Sequence, residues 1–306
     1  MKAKGYILAA IAAAAYGTNP AFAVPLYADG MNPVCVLLFR YIFSLPILAA
    51  MMAARGRSLS IGKAEAMQLA VLGVLMAVSS LGLFESYNYM NSGVASTLLF
   101  VYPVMVAVMM SFFFHEPFRM STGICLAIMG AGLFMLMKGD AGSETGTLGV
   151  VLVMLSSLTY ALYLVMTNVS KVLHGVSTLK MLFYVILFGS SVFIFALLLG
   201  TPFTVPSGIG GWINLAALAL IPTVLSLGCT TAAINTIGST PTAIFGALEP
   251  VTAVVLSVVL LGQDITGREI AGGLLIVAAT SIVIASGPVD KVLLRVKKML
   301  PRLRRR

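Results

Sequence analysis

Apolar runs of about twenty residues recur along the whole chain, separated by short polar breaks. A run of that length in helical geometry crosses the hydrocarbon core of a bilayer. The pattern predicts ten spans, near 4–26, 33–54, 66–89, 93–114, 119–138, 147–169, 179–200, 211–233, 239–261 and 269–286. Turn chemistry marks most of the breaks. Ala28, Asp29 and Gly30 separate the first two spans, Arg55 to Lys63 the next pair, and Asn91, Ser92 and Gly93 the third and fourth. The most polar internal stretch, 139–146, reads as a linker between two halves. Thr236 to Pro241 is the least marked break, short and without charge.

Composition narrows the class. Hydrophobic residues make up 59% of the chain and charged residues 9%, with mean hydropathy +1.04. A soluble domain carries about a quarter charged residues, so this chain has too few to cover a water-facing surface. The first apolar run is too long for a cleaved leader and is expected to be retained. Cys35, Cys125 and Cys229 are far apart, which suits apolar packing better than a disulfide framework or a metal site.

Charge sets the expected orientation. With a cytoplasmic N-terminus, sixteen of the nineteen Lys and Arg residues fall on the cytoplasmic side, and only Lys138 and Arg268 on the other; Arg40 lies inside a span. This asymmetry follows the positive-inside rule, requires an even number of spans and places both termini in the cytoplasm, as in an inner or plasma membrane. The net charge of +9 therefore reports topology rather than nucleic-acid binding. The tail, 287–306, alternates Val292, Leu293, Val296, Met299 and Leu303 with Lys and Arg, a pattern for a helix lying on anionic lipid head groups.

The chain also repeats itself. Residues 94–116 align without a gap on 241–263, bringing Pro103 onto Pro250 and Glu116 onto Gln263. Upstream, Ser80, Leu81 and Gly82 match Ser226, Leu227 and Gly228. Gly5 to Tyr16 lies over Gly149 to Tyr160. Two units follow, 1–138 and 147–286, each with five spans. Five is odd, so the second unit enters from the opposite face, and the expected fold is an all-α membrane protein of two inverted five-helix repeats. Inverted repeats typify secondary transporters, with the substrate site near midplane between them.

The segment Ala247, Leu248, Glu249, Pro250, Val251, then Leu260, Leu261, Gly262, Gln263 and the Gly-rich Gly272 to Ile276, resembles the EamA-type carriers of the drug/metabolite transporter superfamily. The first half shows the same pattern as Val101, Tyr102, Pro103, Val104 and Phe114, His115, Glu116. Gln263 stands where the family usually has an acid, and His115 where it usually has glycine. The resemblance implies ten helices, a central cavity and export or exchange of small metabolites. Amino acids are the leading class.

Polar groups at membrane depth are costly and need a partner or a watery cavity. Arg40 and Glu85 lie at similar depth and either pair with each other or meet substrate. Glu249, directly before Pro250, either couples transport to protons or hydrogen-bonds the backbone that Pro250 leaves unsatisfied. Tyr16, Asn19, Tyr102, Tyr160, Tyr163 and Phe245 complete the expected cavity wall. Glu85, Asn88 and Tyr89 share a helical stripe of the third span, with an interfacial belt as the other explanation for Tyr89. Pro103 and Pro250 are expected to kink equivalent helices at a gate. Gly123, Gly130, Gly132, Gly272 and Gly273 suit close helix packing, in a monomer or a dimer face.

No enzyme is indicated. The two histidines, His115 and His174, sit at span ends without a nucleophile arrangement. Nothing calls for a cofactor or a metal, and there is no phosphate-binding loop for ATP. Two rivals stay open: a channel or scaffold without coupling, and a nucleotide-sugar exchanger. The latter has only Arg40 within the spans to meet a diphosphate.

Overall fold

A computed structural model describes residues 2–114, 127–128, 130–132, 134–135, 146–170, 172–237, 245–246, 248–268 and 270–279. The linker 139–145, His115, Glu116, Gly123 and the basic tail lie outside the described residues, as does the side chain of Pro103.

Every regular element among the described residues is helical. In chain order they are α1 (Lys2–Tyr16), α2 (Asn19–Ala28), α3 (Pro33–Ala54), α4 (Lys63–Ser86), α5 (Ser92–Leu99), α6 (Tyr102–Phe114), α7 (Thr147–Val169), α8 (Thr178–Leu198), α9 (Ile209–Ala219), α10 (Ser226–Ile237), α11 (Leu248–Val259) and α12 (Ile270–Ala279). A π-helical turn, Leu220–Leu225, joins α9 to α10. Six stretches are long and apolar enough to cross a membrane: Ala3–Ala28, Pro33–Ala54, Lys63–Ser86, Thr147–Thr167, Thr178–Leu198 and Ile209–Thr230. Shorter apolar helices accompany them. Large apolar side chains such as Phe112, Leu198 and Ile209 point outward, at 76%, 79% and 81% exposure, as lipid-facing residues would.

Caps follow the polar breaks. Asn32 precedes Pro33, and its Oδ1 accepts the Cys35 N–H at 2.8 Å. Asn91 does the same for α5, accepting Gly93 N–H at 2.8 Å. Both satisfy donors that a helix start leaves free. Gln263 completes the α5 start from the other half: its Oε1 accepts the Ser92 N–H at 3.2 Å and the Ser92 hydroxyl at 2.9 Å. An amide oxygen thus serves as the acceptor there.

The helix interfaces come in exchanged pairs. α4 packs on α7 and α8, while its counterparts α9 and α10 pack on α3 and α1. α5 and α6 lie on α7 as α11 lies on α1 and α2. α3 meets its own counterpart α8, and α5 meets the span of α11. This reciprocity is what two units related by a two-fold axis produce. Single bonds follow it to within one residue, since the register pairs Ser226 with Ser80, the neighbour of Ser79. The Ser79 hydroxyl donates to the Ser156 carbonyl at 2.9 Å. The Ser226 hydroxyl donates at 2.9 Å to the carbonyl of Ala12, the residue that the repeat register places over Ser156.

Glycines allow the closest contacts. A Cβ on Gly73 would lie 2.8 Å from both Gly189 N and Val185 O, and one on Gly132 would lie 2.8 Å from Gly272 O. Among the described residues nothing lies within 4 Å of a Cβ placed on Gly130.

Polar clasps join the halves at both ends. At the end carrying Arg55 and Arg57, Lys180 donates to Ser60 O at 2.6 Å and the Tyr184 hydroxyl to Leu59 O. At the opposite end, the Asn32 side chain donates to Pro202 O at 2.6 Å. There Asp29 accepts both the Ser207 N–H, at 2.9 Å, and the Ser207 hydroxyl. These bonds hold the exposed Asp29 carboxyl below its ordinary range. A lowered value means that the charged clasp contributes at neutral pH and is lost as pH falls through that value. Trp212, the only tryptophan of the chain, follows Gly211, whose Cβ position lies 3.1 Å from Asp29 Oδ2. Trp212 emission in the purified protein is therefore expected to hold steady on acidification and to change only below about pH 4. Asp29→Asn should remove that step. A step that survives in the variant would place its origin elsewhere.

Candidate functional site

Proline organises the centre of the bundle. Each internal proline lacks an N–H and so frees the carbonyl four residues back. Pro20 frees Tyr16 O, and the first span breaks at Gly17 and Thr18. The Asn19 amide nitrogen takes the freed carbonyl at 2.8 Å, and the Thr18 hydroxyl binds Ala15 O at 2.6 Å. Pro103 frees Leu99 O, and the fourth span breaks between α5 and α6; the Ser157 hydroxyl of α7 donates to Leu99 O at 3.2 Å. Pro250 frees Gly246 O, which accepts the Glu249 N–H at 2.9 Å. Pro222 frees Leu218 O, which accepts the Thr223 hydroxyl at 3.0 Å, and the helix widens there into the π turn. At Pro103 the expected kink is a break between two helices. At Pro250 the helix starts afresh after the turn at Gly246.

These breaks bring polar groups together. A Cβ on Gly17 would lie 2.6 Å from Glu249 O, so the break in the first span rests on the start of α11. The Glu249 backbone, not its carboxyl, satisfies Gly246 O; the carboxyl is half-buried and makes no ion pair or hydrogen bond among the described residues. It lies within electrostatic reach of the hydroxyls of Tyr16, Tyr87, Tyr102 and Tyr160. Tyr102 meets Tyr160 edge-on at 4.7 Å between ring centroids, and Tyr160 stacks on Tyr163 at 5.9 Å. Asn19 is 3% exposed. Its nitrogen is used at Tyr16 O, but its Oδ1 has no partner among the described residues.

Arg40 is 4% exposed and makes no ion pair with Glu85 among the described residues. Its Nε donates to the Thr223 hydroxyl at 2.9 Å, and its Cζ sits 5.5 Å from the centre of the Phe84 ring, a cation–π contact. Glu85 instead accepts from the Asn88 amide at 3.2 Å. The expected stripe of Glu85, Asn88 and Tyr89 does not form, because α4 ends at Ser86 and the next residues turn. Asn88 and Tyr89 are exposed at the end of the bundle, where Tyr89 O accepts the Gly146 N–H at 3.0 Å. The same turn sends Tyr87 inward, 8% exposed, with no well-formed hydrogen bond to its hydroxyl among the described residues. Phe245 packs against Tyr6 at 5.7 Å between ring centroids.

Sequence reasoning passes over Tyr87 and Thr223. A helical stripe drawn through 85, 88 and 89 skips Tyr87. The signal for Thr223 is its place directly after Pro222, where a hydroxyl can take the freed carbonyl.

Comparison with known proteins agrees with this architecture. No curated protein matches. A solved crystal structure superposes with a TM-score of 0.66 at 18% identity, covering 92% of this chain and 97% of that one, which speaks for the fold alone. The profile of the EamA-like transporter family matches twice, over residues 3–138 and 147–285. The chain is a multi-pass membrane protein and belongs to the EamA-like transporter family.

Proposed function

We propose that the protein is a secondary transporter, an exporter or exchanger of small organic metabolites such as amino acids. It works by alternating access between two inverted repeats. Ten spans with both termini in the cytoplasm, in the inner or plasma membrane, complete this reading. The observation that carries it is the pair of equivalent helix starts at Pro103 and Pro250. Each belongs to a different repeat, and each has its freed carbonyl satisfied so that the break costs little. Discontinuous helices at a repeat interface are the usual frame of a carrier's substrate site. The polar wall there, Tyr16, Asn19, Tyr102, Tyr160, Tyr163 and Glu249, offers hydroxyls, ring faces and a carboxyl to a solute with both polar and apolar parts.

Counterflow in proteoliposomes tests this. A carrier preloaded with unlabelled solute takes up labelled solute faster than an empty vesicle does, and its flux saturates. Unsaturated flux without trans-stimulation, across a panel of amino acids, amines and organic acids, would make the protein a channel.

A further inference from the structure

Two donor groups with bonding capacity to spare stand beside Phe84. Arg40 carries a permanent charge on five N–H donors. Among the described residues it gives one of them, through Nε, to Thr223, and no carboxylate pairs with it. Tyr87 supplies the second, a buried hydroxyl that makes no hydrogen bond of good geometry among the described residues. The Ser96 hydroxyl donates to Ser92 O at 2.8 Å and keeps its lone pairs, so it is the neutral acceptor beside Tyr87 that a carboxylate would replace. The two groups share Phe84: Arg40 Cζ lies 5.5 Å from its ring, and the Tyr87 ring lies 5.5 Å from it on a 31° tilt. The charge of Arg40 acts on Tyr87 and also on Tyr16 and Tyr27. Of the neighbouring tyrosines, Tyr27 is already satisfied, donating to Phe84 O at 3.1 Å.

A buried cation without a carboxylate partner and a buried hydroxyl without a well-formed hydrogen bond, among the described residues, are a costly arrangement in a membrane protein unless something fills it. The fixed parts are built for occupancy. The π turn after Pro222 presents Thr223 to Nε and so orients the guanidinium. Phe84 gives it an aromatic wall. A planar guanidinium fork matches a carboxylate bidentately.

We propose that Arg40 and Tyr87 form a carboxylate-binding subsite, in which the guanidinium and the Tyr87 hydroxyl both donate to the carboxylate of the transported solute. This rests on the transporter reading and narrows the substrate to solutes bearing a carboxylate. The Asn19 Oδ1, unpartnered among the described residues, and the Glu249 carboxyl, both acceptors, are left for the solute's own donors, an ammonium or hydroxyl.

The test uses the full chain purified in lipid nanodiscs and matched probes: each of several amino acids and aryl acids beside its own carboxamide, titrated by thermal stabilisation. The acids are expected to bind at least about tenfold more tightly than the amides, the difference that a charge-assisted hydrogen bond makes. Tyr87→Phe removes only a hydroxyl without a well-formed hydrogen bond, so the unliganded protein should unfold at the same temperature or slightly higher. Its affinity for the acids should fall about tenfold or more while its affinity for the amides is unchanged. Arg40→Lys, which keeps the charge and loses the fork, should weaken acid binding as well. Equal stabilisation by acids and amides, no stabilisation by any acid, or undiminished acid binding in Tyr87→Phe would each overturn the subsite. Counterflow on the same preparation keeps the two claims apart. Exchange of an amine or neutral solute without acid binding would sink the subsite and leave the carrier. Acid binding without any counterflow would do the reverse.

Discussion

Gly17→Ala is expected to cost the folded protein about 1–3 kcal/mol, the usual penalty of overpacking, and to remove most of its transport. The added Cβ would meet Glu249 O at 2.6 Å, Thr252 Cβ at 2.8 Å and Ala253 N at 3.2 Å. Two of these atoms are backbone, which cannot swing aside as a flexible side chain does. Relief requires the break in the first span to move away from α11, at the point where the two repeats meet beside the carboxyl of Glu249. Stability and transport should therefore fall together. Thermal unfolding and counterflow measured on one preparation check this, with Gly228→Ala, where a Cβ meets open space, as the variant expected to change neither. If Gly17→Ala transports normally, the contact between the first span and α11 does not bear on the site.

Glu249→Gln is expected to separate exchange from coupling. The carboxyl has no cation beside it among the described residues, and tyrosines surround it. An uncompensated charge at membrane depth is costly, so in the proposed carrier Glu249 is the group expected to gain and lose a proton. Glutamine keeps the shape and the hydrogen-bonding capacity but cannot release a proton. Transport driven by a pH gradient should disappear in the variant while counterflow persists. Gradient-driven transport at the parent rate would remove Glu249 as the proton carrier. Fold damage is not a competing explanation, since the bond that stabilises the Pro250 break comes from the Glu249 backbone, which the substitution leaves in place.

The pattern of apolar runs carried the long helices well. The runs at 33–54 and 147–169 coincide with α3 and α7, because each is bounded by an unmistakable cap or break. The repeat was legible too, since matched landmarks such as Gly5 with Gly149 and Pro103 with Pro250 survive in order. What hydropathy could not show was where an apolar run stops being one helix. Phe100 and Val101 are as apolar as their neighbours, yet the helix breaks there. The reason lies two residues on, at Pro103, and in Ser157 of another helix, which makes the break affordable. The third span was drawn three residues too long for a similar reason. Tyr87, Asn88 and Tyr89 look like a continuation of α4, so the polar stripe was extended to two residues that end up exposed. Similar depth in the sequence leaves Arg40 either paired with Glu85 or facing substrate, and depth alone does not point to a hydroxyl partner. The structure supplies Thr223, whose position depends on a π turn that apolar periodicity does not encode.

Alternating access is tested most directly by the two-sided accessibility of a single cysteine in the centre. Cys35, Cys125 and Cys229 are replaced by serine, and Tyr160 by cysteine, in vesicles of known orientation. Membrane-impermeant thiol reagents are then applied from the outside or from the lumen. Transport-competent protein should react from either side. A solute gradient should raise one rate while lowering the other, because opening to one face closes the opposite one. Simultaneous reaction from both faces, at rates that no solute changes, would describe a continuous pore and contradict the account.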